Sequence, residues 1–222
     1  MYNPAAFRED RPDILHALIR QARLALLASN GAGGLPELSH LPLFLVAEEG
    51  EHGVLYGHLA RANPHWRGLA AAGRAVAVFR GAEAYVSPNW YPSKQEHHRV
   101  VPTWNYEAVH AEGPVEVIED PARLLAIVTR LTEANEAAQP RPWQVSDAPE
   151  AFIAGQLKGI VGLALRIEVL TGKRKLSQNR PPADRDGAIA ALAASPDPRD
   201  RATAAAMRQA AENPPGGKPQ AP

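Results

Sequence analysis

Between Tyr85 and Tyr106 the chain reads YVSPNWYPSKQEHHRVVPTWNY, which gathers Tyr85, Trp90, Tyr91, Trp104 and Tyr106 beside Ser87, Asn89, Lys94, Thr103 and Asn105. Flat rings next to amides, hydroxyls and an ammonium can stack on a planar ligand and hydrogen-bond its edge. Pro88, Pro92 and Pro102 stiffen the stretch, so little conformational entropy is lost when a flat ligand arrives. The competing reading is a surface loop whose tryptophans plug the ends of a barrel.

A second group, Gly57-His58-Leu59-Ala60-Arg61-Ala62-Asn63-Pro64, puts an imidazole, a guanidinium and an amide where a strand gives way to a helix. First-turn N–H groups and the helix dipole favour an anion there, and Arg61 could clamp a phosphate in bidentate fashion. Equally, Asn63 could simply cap the helix and Arg61 lie in solvent. The third group, Lys173-Arg174-Lys175-Leu176-Ser177-Gln178-Asn179-Arg180, is the densest basic spot in the sequence. It reads as a solvated turn, a phosphate contact or a local nucleic-acid contact.

Other chemistries find no support. His97 and His98 are adjacent, so in extended backbone they point apart, and no HExxH pairing supplies a metal site. Ser87 precedes a proline rather than sitting in GxSxG, which leaves no nucleophile to nominate. GxGxxG and the P-loop are missing as well.

These groups must be positioned by elements that the sequence signals locally. A helix is expected over residues 12–21, and a hairpin from Leu24–Ala28 and Pro36–Val46. Val54–Leu59 reads as a strand, followed by a helix opening at Asn63-Pro64 and ending at Ala72. Further strands are expected at Ala75–Phe79, Ala84–Ser87, Thr103–Ala111 and Val115–Ile118. Glu119-Asp120-Pro121 caps a helix to Glu136, a short helix lies near Pro149–Leu157, and a last strand runs Gly159–Leu170. Turns rather than long helices separate most strands, so the expected class is α+β, mainly β, with an antiparallel sheet closed into a small barrel.

The 222 residues suit one domain with a tail. Its expected limits are a domain over 1–182, a helical extension over 183–210 and a disordered end over 211–222. Lys plus Arg and Asp plus Glu both number 24, so no global field draws the chain to nucleic acid or an anionic membrane. Cysteine is absent, which removes disulfides and thiolate chemistry, and no apolar window approaches a membrane span. A cytoplasmic location is expected.

With its residues laid out, the chain resembles the PaiB-type family of FMN-binding negative transcriptional regulators, which have a split-barrel fold shared with pyridoxamine phosphate oxidases and flavin reductases. The resemblance is carried by MYNPxxF from Met1, SHLPLFL from Ser39, GHLARANPHW from Gly57, YVSPNWY from Tyr85, VPTWNYEAVHAEG from Val101, and GIVGLALRIEVLTGKRKLSQN from Gly159, in that order. It implies a homodimer that holds FMN at the subunit interface. His58, Arg61, Asn63 and Trp66 are then expected near the flavin phosphate, although relatives often have lysine where Trp66 stands. Ser87, Trp90, Thr103, Trp104 and Asn105 are expected along the isoalloxazine and ribityl chain, with Lys94, Lys175, Ser177 and Gln178 as further contacts. No metal is expected. A regulatory partner, DNA or protein, is implied by the resemblance alone, with the 173–180 turn as the patch for DNA. The alternative is an enzyme that reduces a small acceptor with NAD(P)H, and a third possibility is a haem in place of FMN, held by a histidine.

Overall fold

The computed structural model describes residues 1–213 in two compact units. One comprises Met1–Leu15, Arg80–Val109 and the chain from Thr171 onward; the other comprises His16–Phe79 and His110–Leu170. The expected disordered end lies, over 214–222, outside the described residues.

In the second unit β2 (Ala25–Asn30) pairs antiparallel with both β3 (Pro36–Leu41) and the first part of β6 (Arg74–Val86). The alternation buries Ala25, Leu27 and Ser29 along β2, as a half-buried strand of period two requires. Pro42, which has no N–H to donate, separates β3 from β4 (Phe44–Val46), so the expected single strand to Val46 is two. β4 pairs with β5 (Val54–Ala60), β5 with β8 (Ile160–Arg166), and β8 with the last part of β7 (Thr103–Ile118), all antiparallel. Helix α4 (Pro121–Glu136) starts at Asp120, whose carboxylate accepts from the Arg123 N–H, and its Ile127 and Leu131 share a core with Val54, Ile118 and Ala164. Helices α2 (His65–Ala72) and α5 (Glu150–Leu157) complete this unit.

The first unit has β1 (Arg8–Glu9) in register with β9 (Val169–Lys175), Arg8 opposite Lys173 and Glu9 opposite Gly172. β9 also pairs with β7. The segment read as one strand to Leu170 is therefore two, β8 and β9, and of the basic run read as a turn Lys173–Lys175 belong to β9 while 176–180 do turn. Strands expected separately at 75–79 and 84–87 merge into β6, and those at 103–111 and 115–118 into β7. Past the sequence motifs, α6 (Pro182–Ala193) and α7 (Pro198–Glu212) send Ile189, Leu192, Ala204 and Met207 into a core with Val86, Tyr91 and Leu176. Burying side chains such as Leu192 and Met207 stabilises this unit by roughly 1.5–3 kcal/mol each. Among the described residues no helix is long and apolar enough to cross a membrane.

Candidate functional site

The thirteen residues singled out from the sequence fall into both units, and each set has its own geometry. In the second unit the turn after β5 is built around a buried imidazole. His65 is 3% exposed, with Nε2 3.0 Å from Ser29 Oγ and Nδ1 2.8 Å from Ser39 Oγ. Asn63 Nδ2 donates to Ser39 Oγ at 3.1 Å, and its Oδ1 accepts from the His65 N–H at 3.0 Å. A neutral imidazole carries one N–H, so with Ser39 Oγ accepting from Asn63 and donating to Nδ1 that proton lies on Nε2 and Ser29 accepts it. The start of α2 is thus fastened to β2 and β3.

Arg61 is equally engaged. Its Nε donates to Lys158 O at 3.0 Å, its Nη2 to Ile160 O at 3.1 Å, and its Nη1 pairs with Glu119 at 2.6 Å. Trp66 Nε1 donates to Arg61 O at 3.0 Å, while the Arg67 guanidinium covers the Trp66 ring at 4.4 Å. His58 stands on β5 opposite Gly162, with its Nδ1 buried and unpartnered.

Burial pushes the His65 imidazole below the usual histidine range, against the opposing pull of Glu37, and pushes His58 down as well. A group whose folded value is lowered binds fewer protons in the folded than in the unfolded chain. Its contribution to stability is therefore complete above the unfolded value near 6.5 and is lost as pH falls below it. Urea midpoints should decline from pH 7 to pH 5, and His65→Gln should flatten that decline in part; a His65→Gln profile as steep as the parent's would refute the assignment.

In the first unit β7 and β9 bring Thr103, Trp104, Asn105, Lys175, Ser177 and Gln178 together. Lys175 Nζ donates to Thr103 Oγ1 and to Trp104 O. Burial holds its ammonium below the usual lysine range, and the nearby Lys173 and Arg180 push the same way. Asn105 is fully buried and donates to Ser177 Oγ at 3.0 Å and to Met207 Sδ at 3.3 Å. Ser177 itself is buried with φ at +66°, a left-handed conformation uncommon outside glycine. Gln178 holds that bend, since its Oε1 accepts from the Leu176 N–H at 2.8 Å and its Nε2 donates to Arg174 O.

Trp104 is 58% exposed and meets Tyr85 edge to face, with ring centroids 6.1 Å apart. Ser87 caps a short 3-10 turn, Pro88–Trp90, by accepting from the Asn89 N–H, and Lys94 Nζ donates to Asn89 Oδ1. Trp90 packs against the core that α6 and α7 complete. The aromatic stretch is therefore no open loop; it contains that turn and a helix, α3 (Ser93–His97). Ser93 donates through its N–H and Oγ to the buried Asp184.

The cations at 173–174 correct the reading of a basic surface patch for DNA. Lys173 is 6% and Arg174 2% exposed. Lys173 Nζ donates to Tyr2 O at 3.0 Å and lies over the rings of Tyr2 and Tyr106. Arg174 Nε donates to Glu107 at 2.7 Å and Nη2 to Gln209 at 3.0 Å, with Glu9 3.8 Å away. Glu9 in turn accepts both arms of Arg11, at 2.7 and 2.6 Å. This buried network escaped the sequence reading; its one local signal was the basic run placed directly after an apolar strand.

Comparison with known proteins gives these residues a context. A family profile described as "Putative FMN-binding domain" matches residues 1–169. The protease synthase and sporulation protein PAI 2 of Bacillus subtilis is 30% identical over 207 residues, 93% of this chain and 96% of that one. Among solved structures, a conserved hypothetical protein from Mycobacterium tuberculosis aligns with a TM-score of 0.57 at 14% identity, over 82% of this chain and 94% of that one. A flavocytochrome from Azotobacter vinelandii aligns at 0.54 and 13% identity, over 76% and 69%. The fold is that of the split-barrel flavoproteins, mainly β with flanking helices.

Proposed function

The chain belongs to the FMN-binding-domain family, with FMN as its cofactor, and on that premise we propose that two copies hold the flavin at their interface and that its occupancy or redox state acts on a regulatory partner. The observation that carries the flavin site is the exposed Trp104–Tyr85 pair beside the Lys175 ammonium, which offers a planar face and a donor next to it. Two exposed rings in contact offer a surface on which a planar ligand can stack. Ten of the thirteen residues named from the sequence are the proposed contacts, and the buried Asn105 and Ser177, with Gln178, support them from behind.

The anionic end of FMN is assigned to the turn from His58 to Trp66. The His58 Nδ1, buried without a partner, gains one if a ligand oxygen or a bridging water reaches it. Arg61 and Glu119 are 36% and 56% exposed, and an ion pair of that kind contributes only about 0–1 kcal/mol, so a phosphate can take the guanidinium from it. The flat end is assigned to Trp104 with Thr103 and Lys175, while Asn105, Ser177 and Gln178 hold the backbone behind them. When bound, FMN supplies the redox chemistry, and the chain's residues orient it and compensate its charge. The regulatory half of the proposal rests on the Bacillus subtilis relative, whose name refers to protease synthesis and sporulation.

Titrating FMN by fluorescence quenching, with oligomeric state followed by sedimentation, tests the site. Trp104→Ala and Lys175→Ala should each weaken binding by about tenfold or more, equivalent to ~1.4 kcal/mol. A monomer that leaves FMN fluorescence unchanged would sink the proposal. If NAD(P)H bleaches the bound flavin and an acceptor restores it with turnover, the protein is an oxidoreductase and only the FMN half stands.

A further inference from the structure

A cleft in the second unit contains none of the residues discussed so far. It has a volume of about 460 Å³ and lies between α4, α5 and the short 3-10 turn Val145–Asp147. Its half-buried lining includes Val145, Ala148 and Ile153, which are aliphatic, and Thr129 and Thr132, which add hydroxyls. The volume falls within the range of small-molecule sites.

The third wall is preformed. The Gln144 N–H donates to Asp147 Oδ2 at 2.9 Å, and the Trp143 N–H donates to Glu136 Oε2 at 3.0 Å, which ties the segment between the helices to the end of α4. Binding therefore need not order a loose loop.

The charge at this cleft has one sign. Glu133 and Glu150 line it, both exposed, and no lysine, arginine or histidine does. Neither carboxylate has an ion-pair partner among the described residues. The helix dipole favours a cation at the same place: Glu133 sits in the last turn of α4, where the dipole is negative, and that turn has no basic residue to compensate it.

We propose that this cleft binds a small aliphatic ammonium compound, its carbon chain on Val145, Ala148 and Ile153 and its ammonium between Glu133 and Glu150. Thr129, Thr132, Gln144 and Ser146 leave acceptors for the remaining N–H groups. The inference stands apart from the flavin site, because no predicted flavin contact lines the cleft.

The test is calorimetric titration of the FMN-loaded full chain with n-hexylammonium, and with n-hexanol and hexanoate as neutral and anionic chains of matched length. Hexylammonium should saturate one site and bind at least about tenfold tighter than hexanol, a factor of ten being ~1.4 kcal/mol. Glu133→Gln combined with Glu150→Gln, both surface changes, should remove that preference while leaving FMN content and the melting temperature unchanged. Ala148→Phe, which fills the floor, should abolish binding of every probe. Equal binding of hexanol and hexylammonium, an unchanged preference in the double variant, or no saturable binding would each overturn the proposal.

Discussion

Arg174→Ala should cost about 3–5 kcal/mol of stability, the loss typical when one partner of a buried ion pair is removed. Arg174 and Glu107 are 2% and 5% exposed, so truncation leaves the Glu107 carboxylate inside the first unit with only the Ala82 N–H, 3.4 Å away. Glu9 keeps Arg11 but loses the nearby guanidinium. Domains of this kind are stable by about 5–15 kcal/mol, so the variant should be near the edge of folding. Two further variants separate the causes. Arg174→Lys keeps the charge but not the planar fork and should fall between, while Arg174→Met with Glu107→Met removes both charges and should cost less than Arg174→Ala alone. Urea unfolding followed by circular dichroism measures all three; a loss below ~1 kcal/mol for Arg174→Ala would show that the pair is not what holds β9 to β7.

Gly113→Ala should be as damaging, for a different reason. A Cβ at Gly113 would lie 1.8 Å from Arg166 O and 3.2 Å from the Glu168 nitrogen, both backbone atoms that cannot swing aside. The close approach is where the chain leaving β8 crosses β7, joined by the Glu168 N–H to Glu112 O bond at 2.9 Å. Relief requires separating the strands next to the register of Val115 with Leu165, so a loss of at least about 3 kcal/mol is expected, the upper end for overpacking. Gly33→Ala is the control, since a Cβ there meets nothing within 4 Å, and it should change stability by no more than ~0.5 kcal/mol. Equal melting temperatures for the two variants would rule out the close crossing.

Much of the site's local structure was legible because its causes are local. Proline at 12 and 121 with aspartate nearby marks helix starts, and α1 (Pro12–Gln21) and α4 begin there. The aromatic and polar residues of 85–106 stood out by composition alone, and Asn63 stood out just before α2, where its Oδ1 accepts from the His65 N–H. What failed was any statement about which way a side chain faces. The run Gly172-Lys173-Arg174-Lys175 looks solvated in sequence, yet two of its cations are interior because β9 pairs with β1 and β7, and the carboxylate that neutralises Arg174 is 67 residues away.

The same holds for the segment beyond residue 182. Its alanines and charges read as an appendage, with weak amphipathic patterning, but α6 and α7 supply Leu192 and Met207 to the core beneath Tyr91, and Met207 also accepts from the buried Asn105. His65 was part of a recognisable motif, while its two serine partners lie 36 and 26 residues away on other strands. Sequence by itself located most of the strands, the principal helix starts and the residue types able to stack on a flavin, though not where strands split or merge, since local signals follow from nearest neighbours and periodicity. Only the tertiary structure decided which charges are buried, which tryptophan is exposed and where a ligand's partners are still unpaired, because burial and long-range hydrogen bonds are properties of pairings between segments far apart in the chain.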